Sequence, residues 1–147
     1  MRVYETTTTD WEALDAETRA ALAWTGTAAF QVLDGVSPTD VDPIRVYAPH
    51  GVDVGRGGEQ ELVLIYTDRR PSSFPHESGV TVADLDSVVE DALDEDEALV
   101  LRRLRDDPSF RKLLARHLSA EARVSLVAEY GENPDAAGYV QELLDTT

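Results

Sequence analysis

Two runs near the middle of the chain, Ile44-Arg45-Val46-Tyr47-Ala48-Pro49-His50 and Glu61-Leu62-Val63-Leu64-Ile65-Tyr66-Thr67, decide the fold class. Both are rich in β-branched and aromatic residues and bounded by proline, glycine or aspartate, the pattern of strands. In the first, Ile44, Val46 and Ala48 alternate with Arg45, Tyr47 and Pro49, so one face is expected in the core and the other in water, with Pro49 favouring a sheet edge. The second is apolar on both faces from Leu62 to Tyr66 and reads as a central strand. The link 51–60 holds Gly51, Gly55, Gly57 and Gly58 and reads as a flexible loop closing a central hairpin over 44–67. Two strands alone are marginal in water, and residues 2–5 or 79–82 can supply a third. The expectation is a small antiparallel sheet of two to four strands.

Helical patterning flanks this sheet. Thr9 and Glu12 stand at capping-box spacing, and Trp11, Leu14, Ala21, Leu22, Ala28, Ala29, Val32 and Leu33 recur near a 3.6-residue period, giving an N-terminal helix over 10–33 that is weakest at Thr25-Gly26-Thr27. After a loop over 68–80, the region 81–145 is helical throughout, a cluster of four to five helices. Thr81 with Asp84 starts the first, whose core side is Leu85, Val88, Val89, Ala92 and Leu93, and the acidic run 94–97 is a break or turn. Asp107 before Pro108 is a cap with proline at the first helical position. The stripe Phe110, Leu113, Leu114, His117, Leu118 then places His117 as a packed histidine. Ser119 caps the next helix, and Asn133, Pro134 and Asp135 start the last. The class is α+β, read as one domain over 1–147.

Composition bounds the setting. There are 29 acidic residues against 13 Lys plus Arg, a formal charge of −16, and Lys112 is the sole lysine. In dilute buffer such a surface repels itself, whereas near ~1 M salt the Debye length falls to about 3 Å and the repulsion is screened. The composition therefore reads as adaptation to a salt-rich cytoplasm; codon bias of a high-GC genome favours Arg, Ala, Asp and Val over Lys and Ile as well. With no cysteine, disulfides, thiolate nucleophiles and cysteine-ligated zinc are excluded. No run of eighteen apolar residues and no basic start with an apolar run behind it is present, so a cytoplasmic protein without membrane association is expected.

Several groupings invite a chemical reading. The glycines of 51–60 resemble a phosphate cradle only in part, because the lysine and hydroxyl that end a P-loop are missing. In a hairpin, His50 and Asp68 fall at opposite ends, roughly 20 Å apart at ~3.3 Å per residue, leaving His50 to meet Glu59 or Glu61. Asp84, Asp86, Glu90 and Asp91 fail calcium-loop spacing, since Val88 and Val89 stand where a ligand and a glycine are required; Asp84 complements a helix N-terminus, the others read as a solvated helix face, and neither metal nor cofactor is expected. The most function-like loop is 68–78, where Arg69 and Arg70 can fork onto a phosphate or carboxylate, with His76 or Glu77 carrying a proton. Between 102 and 123, Arg102, Arg103, Arg105, Arg111, Lys112, Arg116 and Arg123 oppose only Asp106, Asp107 and Glu121, a local +4.

Three functions follow. The leading one is a non-catalytic interaction, assembly or regulatory subunit whose partner is another protein or a second copy, contacted through the basic patch. A DNA-binding regulator using helices 102–123 is the second, disfavoured because phosphate contacts weaken steeply as salt rises. A small phosphoester hydrolase or nucleotide-binding enzyme built on loop 68–78 is the third.

Overall fold

Residues 61–67 form the inner strand their composition requires, but their neighbours are not those of a hairpin. The computed structural model describes residues 2–134 and 136–145; Met1, Thr146, Thr147 and Asp135, read above as part of a helix start, lie outside the described residues. The chain divides into two compact units, Met1–Asp91 and Ala92–Thr147.

The first unit is built on a six-stranded mixed sheet: β1 (Arg2–Thr8), β2 (Ala23–Trp24), β3 (Ile44–Tyr47), β4 (Glu61–Thr67), β5 (Ser73–Pro75) and β6 (Thr81–Ala83), in the order β1-β4-β3-β2-β6-β5. The expected small antiparallel sheet is thus corrected. β3 and β4 are parallel, with Ile44 level with Leu62 and Tyr47 level with Ile65. The link that was read as a hairpin loop carries the chain back along the full length of β3. It is fastened at several points: Thr9 Oγ1 donates to the Val54 carbonyl at 2.9 Å, and Gln60 donates from Nε2 to the carbonyls of Pro38 and Val41 while its Oε1 accepts from Trp11 N. Gly58 passes so close to β1 that a Cβ there would stand 2.3 Å from the Asp10 nitrogen, and only glycine fits.

β1 pairs antiparallel with β4 from Arg2 opposite Thr67 to Thr8 opposite Glu61, and β6 lies parallel beside β2. The segments 2–5 and 79–82, each offered as a third strand, therefore overlap β1 and β6. Residues 10–33 are not one helix. They form a 3-10 turn at Trp11–Ala13, α1 (Ala16–Ala21), strand β2, and α2 (Gly26–Leu33). Asp15 caps α1 by accepting from Thr18 N at 2.7 Å, and Gly26 opens α2 at a φ of +66°, which a side chain would strain. Thr9 is taken up by Val54, so the expected capping box does not form.

Both faces of the sheet are covered at its centre. Trp24, Val46, Leu62 and Leu64 are buried on one face, where Trp11 stands edge-on to Trp24 at 5.0 Å. Tyr47, expected in water, is buried on the other. α3 (Leu85–Asp106) follows β6, with Asp84 accepting from Ser87 N at 2.9 Å as its cap.

In the second unit the acidic run resolves into a break at Asp96, whose φ of −157° is extended and whose carboxylate accepts from Leu99 N at 3.1 Å to restart α3. α4 (Pro108–His117), α5 (Ala120–Tyr130) and α6 (Ala137–Asp145) follow. Asp107 and Ser119 cap α4 and α5 as their spacing indicates. Phe110, Leu114, Leu118, Leu126, Val140 and Leu143 are buried in this unit, whereas His117 is exposed instead of packed.

Candidate functional site: an open sheet edge held by a buried carboxylate

β1 is an edge strand seven residues long, exposed at all but Thr7, and it carries two of the large apolar side chains that face water, Val3 at 50% and Tyr4 at 52%. The pattern Val3, Tyr4, Thr6, Thr7, Thr8 has strong strand character, so this segment extends although it buries little. Thr9 N donates to the Gln60 carbonyl at 2.9 Å, which fixes the phase of the ladder. Bonds alternate along an antiparallel pair, so Val3, Glu5 and Thr7 turn their backbone groups to β4, and Arg2, Tyr4, Thr6 and Thr8 turn theirs outward. Thr8 shows this directly: its outward carbonyl accepts from Gly58 N at 3.3 Å. No strand lies beyond Arg2, Tyr4 and Thr6 among the described residues.

Beyond its seven-residue ladder with β4, this edge is anchored at Arg2 by Asp91, only 2% exposed, on the first part of α3. Its Oδ1 accepts from Arg2 Nη1 at 2.7 Å, and its Oδ2 accepts from Thr25 Oγ1 and Tyr47 Oη, each at 2.6 Å. Three elements, β1, the segment after β2, and β3, thus converge on one carboxylate through their shared sheet face. The Arg2 guanidinium also lies over the Tyr47 ring, 5.5 Å from its centroid. Burial, then the bond to Asp91, pushes the Tyr47 phenol above its ordinary range, and the same carboxylate raises Arg2. The charge is paired and its bonds are satisfied, so the cluster fixes geometry. Asp91 was read from sequence as a solvated acid. Its one signal is its place three residues after Val88, at the margin of the apolar stripe.

On the opposite face, a cleft of about 360 Å³ runs between β1 and the loop 52–56, lined by Glu5, Thr7, Asp53, Val54, Arg56 and Leu64. Two carboxylates here are unsuited to phosphate, and Asp53 accepts from Gly55 N at 3.0 Å in a local turn. Beside the cleft, His50 stacks on Tyr66 at 5.4 Å, and Tyr66 Oη donates to Glu5 Oε2 at 3.4 Å. Because β3 and β4 are parallel, His50 sits at the Asp68 end of the sheet and does not meet Glu59 or Glu61 as expected.

The residues singled out in loop 68–78 are divided between the link after β4, which holds Arg69 and Arg70, and the turn of the β5–β6 hairpin, which holds His76 and Glu77. Arg70 donates from Nη2 to the Ala21 carbonyl at 2.8 Å, fastening the end of α1, and Arg69 is exposed. His76 and Ser78 share a 2.7 Å side-chain bond inside the β5–β6 turn, and Glu77 is exposed. None of the four lines the cleft beside β1.

Much of the basic patch is engaged within the second unit. Arg103 pairs with Asp107 at 3.0 Å and lies 4.3 Å over the Phe110 ring; Arg105 forks onto Asp106 at 2.8 and 3.0 Å. Arg111 donates to the carbonyls of Leu104 and Arg105, and Arg123 to that of Leu143. Arg102, Lys112 and Arg116 are exposed, the latter two one turn apart on α4. Among the described residues no group of three or more His, Cys, Asp or Glu is placed to hold a metal, and no helix is long and apolar enough to cross a membrane. Comparison with protein-family models, with curated proteins and with solved structures finds no match.

Proposed function

We propose that the protein is a non-catalytic interaction or assembly subunit of a salt-rich cytoplasm, and that it engages its partner by accepting an extended segment alongside β1. The supporting observation is the outward row of backbone groups at Arg2, Tyr4 and Thr6, flanked on the two faces by exposed Tyr4 and Val3. Strand addition draws its affinity from main-chain bonds and its specificity from alternate side chains. Those bonds suit concentrated salt better than an ionic surface would, because the Debye length there is about 3 Å. A rigid edge is a better template than a frayed one, and the Asp91 cluster supplies the rigidity.

Proline at position 4 would remove an outward N–H while leaving every bond to β4 intact. The test is affinity capture from native extract at high salt with the wild type and with Tyr4→Pro, whose fold is checked by circular dichroism. A partner retained by the wild type and lost with the folded variant supports the proposal. Identical partners on both would overturn it.

A further inference from the structure

Building on strand addition at β1, we infer that the incoming segment is a cationic extended strand of another protein, with a lysine or arginine side chain seated in the cleft between β1 and the loop 52–56. The length of the edge limits what pairs there. Gly58 already occupies the Thr8 carbonyl, so the free stretch runs from Arg2 to Thr6. Within it, Glu5 turns its backbone inward, so a residue opposite Glu5 forms the closer kind of cross-strand pair, with Cβ atoms about 5 Å apart. That residue points to the same face as Glu5, into the cleft.

The cleft suits a long cationic side chain. Leu64 and Val54 offer apolar surface to its methylene stem, while Glu5, Asp53 and the Thr7 hydroxyl offer acceptors to its head; Arg56 is the one cation among the lining residues. At low ionic strength the surroundings act in the same direction, and in concentrated salt only the direct contacts within the cleft remain. Residues 1–91 carry six Lys plus Arg against seventeen Asp plus Glu, 6 minus 17, or −11. A second copy is the poorer occupant. It would bring its own −11 and, paired over Arg2 to Thr6 with Tyr4 opposite Tyr4, would set Val3 and no cation opposite Glu5; pairing over five residues also falls well short of the roughly 800 Å² per partner typical of a stable dimer.

The probes are three blocked peptides: Thr-Val-Thr-Arg-Thr-Val-Thr, its twin with glutamate for arginine, and the arginine peptide N-methylated at alternate residues. Binding is followed through the backbone amide resonances of β1 in about 0.1 M and about 1 M NaCl, and the preference carried by direct contact with Glu5 and Asp53 is expected to persist at the higher salt. The arginine peptide is expected to bind about tenfold more tightly than the glutamate twin, with the N-methylated peptide silent. Glu5→Gln with Asp53→Asn should narrow the preference to about twofold, both substitutions preserving side-chain shape. Equal binding of the arginine and glutamate peptides would overturn the cationic preference and leave strand addition standing. Failure of every peptide to move β1 resonances would overturn both. Concentration-dependent shifts of β1 without peptide would assign the edge to a second copy.

Discussion

The two edges of the sheet are built differently. β5 is three residues long, ends on Pro75 and follows Pro71, so it offers a new strand little to bond with. β1 is seven residues long, has no proline, and presents Val3 and Tyr4 to water. Chains ordinarily blunt an exposed edge by shortening it or placing proline there, because a long flat one recruits other strands. This protein blunts one edge and leaves the other open. It also ties the open edge to a buried carboxylate, which loose or incidental exposure would not need.

The largest expected effect comes from breaking that tie. Asp91→Ala would strand the Tyr47 and Thr25 hydroxyls, a loss of about 2–4 kcal/mol by denaturant unfolding, and would free the exposed Arg2 guanidinium to turn to water. Hydrogen exchange should then quicken along β1 more than along the β5–β6 hairpin. A loss below about 1 kcal/mol would show that the cluster does not hold the edge.

A pair of prolines sharpens the contrast between the two sides of β1. Glu5→Pro removes an inward N–H from the β4 ladder and is expected to cost about 2 kcal/mol, whereas Tyr4→Pro removes an outward one and should cost less than ~1 kcal/mol. Equal losses would mean that the phase set by Thr9 and Gln60 is mistaken.

Smaller still is the alkaline effect. Tyr47 and Tyr130 are both raised by burial first, then by bonds to Asp91 and Glu97 respectively. A raised phenol keeps its proton in the folded chain after the unfolded chain has lost it, so the stabilisation is complete below about pH 10 and declines above it. Tyr47→Phe should flatten part of that decline. An unchanged alkaline limb would dissociate Tyr47 from it. The composition adds a last, modest expectation: the melting temperature falls on dilution from about 1 M to about 0.1 M salt as repulsion among the acids is unmasked. No change would contradict the salt-adapted reading.

Local signals in the sequence were faithful where local physics decides. Asp107 with Pro108, Ser119, and the inner position of β4 follow from capping and from apolarity on two faces, and they stand in the structure. Strand direction was not legible, because a run such as Ile44–Tyr47 is equally good parallel or antiparallel. Only the length of the following link, far beyond the two to five residues of ordinary hairpin loops, argued against a hairpin. The helix over 10–33 failed where Thr25 and Gly26 had already weakened it: β2 runs to Trp24, and the chain re-enters a helix at Gly26. The site was least visible of all. The exposed character of β1 depends on having no neighbour, and Asp91 becomes a buried anchor only when Arg2, Thr25 and Tyr47, distant in sequence, arrive around it.

The central claim, that β1 is an anchored edge awaiting a strand, is tested most directly by residue-resolved amide exchange on the free protein and on its peptide complex. Tyr4 and Thr6 amides should exchange rapidly in the free protein beside slow Val3, Glu5 and Thr7, and become slow when the arginine peptide is bound. Tyr4 and Thr6 amides already slow in the free protein, or still fast in the complex, would contradict it.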